Sequence, residues 1–462
     1  MDPRTRLLLE APIGPTLLRL AAPNVVVMVA QASIGLVETY FVSALGTDAL
    51  AGMALVFPAL MLIQMISAGA MGGGILSAVA RALGSGRKQD ANGLVWHAVA
   101  IAIGFGIATT LLALMAGPHL YGKMGGTGAS LAAANAYSGT VFAGAMLVWL
   151  FNSLAAVIRG TGNMALPAAV TAIGVVIITP LSPALIMGYG PLPHLGIIGG
   201  GVAILLYYGA GTLVFIHYIW SGRGILHPPA SPPRLSWSLA RDILRVGLVS
   251  SVVSISTNAA IAVATGLVGE AGPAALAGYG TGARLEYLLV PLVFGLGAPL
   301  AAMVGTSIGA GQRRRALQVG WTGAGIAFLL TEAIGLAAAT WPEAWLGLFG
   351  DDPAMIAVGS RYLHLVGPAY GFFGGGLALY FASQGAGRLA WPLLGAILRV
   401  SLAIGAGIFA LRAGFGIDGV FAALAAAMVA FSAVMAISTA AGAWFVQPRR
   451  VAAALPEPGI AR

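Results

Sequence analysis

Polar side chains in this chain fall into short clusters, and between them the sequence runs apolar again and again for a membrane crossing, about 20 residues. In lipid every backbone N–H and C=O needs a partner within the protein, so repeated runs of this length point to membrane-spanning helices. Composition agrees. Of 462 residues, 59% are hydrophobic and only 8% charged, more apolar surface than one soluble core can hide. The 67 glycines and 25 prolines fit membrane helices, which tolerate both more readily than soluble ones. We expect an all-α integral membrane protein with no room for a large water-soluble domain. The absence of cysteine excludes disulfides, thiolate metal sites and cysteine nucleophiles. The first 20 residues lack an uninterrupted apolar stretch with a small-residue cleavage site, so no removable signal peptide is expected.

Twelve spans follow from the apolar runs, at about 16–45, 50–80, 92–116, 129–158, 164–188, 196–221, 239–268, 274–307, 316–341, 354–383, 389–412 and 416–446. Cations gather in alternate loops: Arg4 and Arg6, then Arg81, Arg87 and Lys88, then Arg159, Arg223 to Arg245, Arg313 to Arg315, Arg388, Arg449 and Arg450. Lys and Arg accumulate on the cytoplasmic side, so both termini are expected there, in a bacterial inner membrane. The net charge of +9 is thereby dispersed over short loops and gives no reason to expect a nucleic-acid partner. Residues 221–242 form the one long Pro-rich, charged interruption and read as a linker.

The two sides of that linker repeat. Ala49-Leu50-Ala51-Gly52 answers Ala275-Leu276-Ala277-Gly278 at an offset of 226, and Gly84-Ser85-Gly86 answers Gly309-Ala310-Gly311 at 225. Trp96 with Trp321, Tyr137 with Tyr362, and Pro167 with Pro392 keep the second offset. Six spans return the chain to its starting side, so the copies share an orientation and are related by a pseudo-twofold axis along the membrane normal, a transporter architecture. We expect a six-helix lobe over 1–221, a linker over 222–238, a second lobe over 239–446 and a tail over 447–462.

Within the first span, Asn24, Gln31 and Glu38 stand seven apart and share one helical stripe, beside Gly35. A charge at mid-membrane costs roughly 2.5–3.5 kcal/mol on insertion scales, so such a residue normally faces a bundle interior or wet cavity and carries function. In the second half, Arg284 and Glu286 on span eight and Arg399 on span eleven fall near mid-depth. Arg284 and Glu286, two apart, point nearly opposite ways and are not expected to pair with each other; one of them is expected to meet Arg399 or the cavity. Asn152, Asn258 and Tyr370 are further candidates for lining a cavity, although interhelical hydrogen bonds are the commoner fate of such groups. Glu332 falls near the outer end of span nine, within reach of the interface.

Val37-Glu38-Thr39-Tyr40-Phe41-Val42-Ser43-Ala44-Leu45-Gly46, Leu50-Ala51-Gly52, Gly84-Ser85-Gly86, and Arg159-Gly160-Thr161-Gly162-Asn163 with Pro167 together resemble the multidrug and toxic compound extrusion (MATE) transporters. Ala277 to Glu286 and Gly305 to Gly311 continue the resemblance in the second half. It implies two six-helix lobes forming a V, and export of organic, often cationic, compounds against protons or sodium. It also implies a cation-binding role for Glu38, with Tyr40 beside it in the motif. Two departures stand out. Where some members carry an acid in span five before a proline, this chain has Ser182-Pro183, and where sodium-coupled members carry acids in spans seven and ten it has Thr257, Asn258, Tyr370 and Phe373.

Gly305-Thr306-Ser307-Ile308-Gly309 matches the G-x-S-x-G serine-hydrolase pattern, and His97, His217 and His364 supply histidines, but that elbow needs a strand-to-helix turn and this segment closes an apolar helix. No H-E-x-x-H, phosphate-binding loop or metal-ligand cluster occurs in the sequence. The expectation is therefore a monomeric secondary exporter of small-molecule drugs or toxic metabolites, not an enzyme and without a cofactor. It would alternate access and be coupled through Glu38 to protons, with sodium as the alternative ion. Burial disfavours the charged form of a carboxyl group, which brings proton exchange within physiological reach. A lipid-linked precursor flippase ranks second and would need a more cationic cavity.

Overall fold

The computed structural model describes residues 2–190 and 192–445, with backbone alone at 29–37, 287, 288, 290 and 291. A short helix α1 (Pro3–Glu10), capped by Asp2, precedes the first span, α2 (Ile13–Ser43). The second span is α3 (Thr47–Gln64), a π-helical stretch Met65–Met71 and α4 (Gly72–Gly84). Then come α5 (Lys88–Lys123), the pair α6 (Gly128–Ala143) and α7 (Ala145–Gly160), α8 (Ala165–Met187) and α9 (Ile197–Trp220). The second half holds α10 (Trp237–Gly269), α11 (Pro273–Gly309), α12 (Arg313–Thr340), a short α13 (Pro342–Leu346) and α14 (Pro353–Val366). It ends with α15 (Tyr370–Ala386), α16 (Ala390–Arg412) and α17 (Gly416–Ala440). Ten spans qualify by length and apolarity alone, the bent pair α6–α7 is an eleventh, and α2 is the twelfth. The expected tail, 447–462, lies outside the described residues.

Spans four and ten are broken at matching places. The fourth bends by 46° at Gly144, and the tenth passes through a 3-10 turn at Gly367–Ala369. Each break has a glycine or proline, which lowers the cost of leaving the α-helix. Glu332 serves the second break. Its Oε2 accepts from the Gly371 N–H at 2.7 Å, so it caps the start of α15 and does not reach the interface as its position in span nine suggested.

Glycines let the halves approach at the arginine-rich end. A Cβ on Gly74 would lie 2.6 Å from the Ile243 carbonyl oxygen, and one on Gly305 3.0 Å from the Ala80 Cβ. Ser77 Oγ donates to Gln384 O at 2.6 Å, and Arg81 reaches Gly385 O at 3.1 Å and Asp242 Oδ1 at 2.8 Å. The linker is strapped down as well: Trp96 Nε1 donates to Pro229 O at 3.0 Å, and His97 holds Gly93 and Ser236. With both nitrogens so engaged, and with Ser307 buried inside the last turns of α11, the hydrolase elbow is absent among the described residues.

Candidate functional site

Glu38 lies on α2 with only 5% of its surface exposed. Its Oε1 accepts from Tyr137 Oη at 3.1 Å, across from α6. The first turn of α9 closes on the same oxygen, since a Cβ on Gly200 would sit 2.6 Å from it. Gly196, at φ 55°, sets the turn that starts α9, and a helix N-terminus favours negative charge. Among the described residues the ion pairs are Arg6–Glu10, Arg81–Asp242, Arg87–Asp90 and Arg361–Asp418, so no cation pairs with Glu38. One phenol hydrogen bond leaves most of a carboxylate's acceptor capacity open.

The carboxyl borders a cavity of about 520 Å³ inside the first half, walled by aromatic and methionine side chains including Met53, Phe57, Met61, Tyr207 and Tyr208. Large flexible and aromatic side chains suit amphipathic organic molecules of varied shape. Gln64 stands where this cavity meets a second one of about 220 Å³ between the two halves. Its Oε1 accepts from Tyr208 Oη at 3.2 Å and from Asn152 Nδ2 at 3.3 Å, while Asn152 also donates to Ser67 Oγ at 2.8 Å. Asn24, Arg159, Phe294, Phe381 and Gln384 complete the second cavity's character. Asn24 Nδ2 reaches Gly295 O of α11 at 3.4 Å, so it borders the cavity and bridges the halves.

The structure gathers Asn24 and Asn152 at one cavity and Glu38 at the adjoining one. The Gln31 side chain lies outside the described residues. Other expected positions fall elsewhere. Tyr40, two residues beyond Glu38, points to the far side of α2, 72% exposed against Phe41. Ser182 is buried beside Pro183, its hydroxyl without a partner, and Asn258 is exposed, bonding Ser254 O of its own helix at 2.9 Å. Tyr370 is fully buried in the second half's core. Arg284 does not stay at mid-depth, because its long side chain carries the guanidinium out over the Phe349 ring, 5.2 Å from the centroid. Glu286 accepts instead from Tyr362 Oη, and Arg399 packs over Phe373 at 4.5 Å. Both border a 30 Å³ void with Tyr279, and they form no direct ion pair.

Gln64, Tyr137, Tyr208, Gln384 and Arg159 were not singled out for these cavities. Arg159 is the instructive omission: counted with the loop cations, it lies in the last turn of α7 and lines the inter-half cavity. Asn152 stands two turns earlier on the same face, a spacing visible in the sequence.

A buried, cation-free carboxyl beside a large cavity in a duplicated bundle is a transporter's arrangement, and comparison with known proteins gives the lineage. The MatE profile matches residues 23–184 and again 249–409, once in each half. The chain belongs to the MATE family. Its relatives include a protein named FAD transporter from Shewanella oneidensis, 27% identical, with 81% of this chain and 82% of that protein aligned. A probable multidrug resistance protein NorM from Thermotoga maritima is 25% identical over 83% of this chain and 82% of its own. Among solved structures, a MATE protein in the bent conformation superposes with a TM-score of 0.88 at 23% identity, covering 96% of this chain and 98% of that one. A MOP superfamily transporter from Pyrococcus furiosus gives 0.87 at 22%, covering 97% and 100%. The fold is thus the twelve-span MATE fold, and this is a multi-pass membrane transporter of a multidrug efflux family.

Proposed function

We propose that this protein is a secondary exporter that exchanges small organic molecules for protons at Glu38. The observation that carries the reading is the Glu38 carboxyl: buried, held by one phenol, free of any paired cation, and open to a 520 Å³ aromatic and methionine-lined cavity. A cationic group held by the ionised carboxylate leaves when a proton arrives from outside, and deprotonation on the inner side restores the site. The arginine-rich end faces the cytoplasm of a bacterial inner membrane in this reading, so the tight contacts there close the inner side while the cavities await the outer one. A reagent confined to the cytoplasmic side should then label the loop over 222–238, and labelling of intact cells from outside would reverse the orientation.

Purified protein in liposomes, loaded with a fluorescent organic cation, separates the coupling ions. An imposed pH gradient at constant sodium should drive transport. Transport driven by a sodium gradient at constant pH, and lost without it, would replace the proton with sodium.

A further inference from the structure

The central cavity carries a charge of the opposite sign to Glu38. Among its described lining residues Arg159 is the one charged side chain, set among Asn24, Gln64, Asn152 and Gln384. A guanidinium keeps its proton in proteins, so the charge is permanent. Its Nε is buried without a hydrogen-bond partner, and Arg159 joins none of the ion pairs among the described residues. The C-terminal carbonyls of α7 favour a cation at this place, which explains why Arg159 is tolerated but leaves its fork unmatched. Such a fork accepts a carboxylate or phosphate through two parallel hydrogen bonds.

Around that charge the walls are aromatic. Phe151, Phe294 and Phe381 border the same cavity, and at Gln64 it meets the larger one with Phe57, Tyr137 and Tyr208. A space of about 220 Å³ is large enough for an anionic head group, and the adjoining one of about 520 Å³ for a ring system. We infer that the cavity between the halves binds soluble aromatic compounds through a carboxylate or phosphate group placed on Arg159. This rests on the reading of the chain as an exporter, but not on Glu38. Neutralising Glu38 removes a repulsion and displaces no anion, so proton coupling for such a compound would run through the rearrangement of the helices and not through competition.

Flavin mononucleotide and riboflavin share one ring and differ by a phosphate, and their fluorescence reports binding to the full-length protein in phosphatidylcholine nanodiscs. Wild type should bind the phosphorylated form at least tenfold more tightly. Arg159→Leu should erase the preference, and Arg159→Lys should keep part of it. Equal affinities in wild type would overturn the inference without any variant, and so would a preference surviving in Arg159→Leu. Phosphatidic acid displacing flavin mononucleotide would put a lipid headgroup phosphate on Arg159 and overturn the assignment to a soluble compound. Binding at equilibrium needs no gradient, so loss of proton-driven export would leave this result standing.

Discussion

Each half of the molecule pairs a tyrosine with a carboxyl. Tyr137 and Tyr362 occupy equivalent positions at the 225 offset, each shortly before the break in its span, and each donates to a glutamate. The glutamates are not equivalent. Glu38 comes from the first span of its half and Glu286 from the second, and the position answering Glu38 at the 226 offset is Ala264, which lines the void beside Glu286. Their surroundings differ more. Glu38 opens on about 520 Å³ with no cation near enough to pair, whereas Glu286 faces about 30 Å³ shared with Arg399 and Tyr279. The same phenol–carboxyl unit thus borders open space with no paired cation in one half and a small closed void shared with a cation in the other, which is the contrast behind the proposed exchange at Glu38.

The largest test of that contrast is a matched pair of variants. Glu38→Gln should reduce pH-gradient-driven export to the level of empty liposomes while the protein still folds, and Glu286→Gln should retain most of it. Equal losses would erase the distinction. Next in size is stability in the second half: Arg399→Leu removes the cation that stacks on Phe373 and shares a void with Glu286, and should cost about 1–3 kcal/mol, the range for leaving a buried polar group uncompensated. The double change with Glu286→Leu should recover much of that in thermal unfolding, and strictly additive losses would show that the two groups do not interact. The smallest effect is expected at Gly200→Ala. The added methyl meets the movable end of Glu38, so it should cost about 1 kcal/mol, the low end of overpacking, yet lower export several-fold by displacing the carboxyl. Unchanged export would mean that the start of α9 does not position Glu38.

Much of this was legible in the residues. The spans, the duplication and Glu38 follow from hydropathy, register and one charge in an apolar stripe, signals that depend only on position along the chain. What side chains do at the ends of helices was not. Arg159 and Arg284 are both arginines near apolar spans, yet one turns into the cavity and the other extends to Phe349. A rule that counts cations by loop cannot tell these apart, because a long side chain moves its charge several ångströms from its own Cα. Tyr40 failed for a simpler reason: adjacency in a motif is not adjacency on a helix, and two residues from Glu38 is the opposite face.

The π-helical stretch Met65–Met71 has a further meaning in the history of the chain. The second span runs 38 residues, Thr47–Gly84, and its counterpart Pro273–Gly309 runs 37 as unbroken α-helix. The offset between the halves is 226 at Ala49–Gly52 and 225 at Gly84–Gly86, so it slips by one within the span that holds this stretch. A π turn is how a helix absorbs one inserted residue without unwinding. The two copies of this span therefore differ by one residue, and the π-helical stretch is where the longer copy can hold it. The π-helical stretch follows directly on Gln64, the residue that lines both cavities.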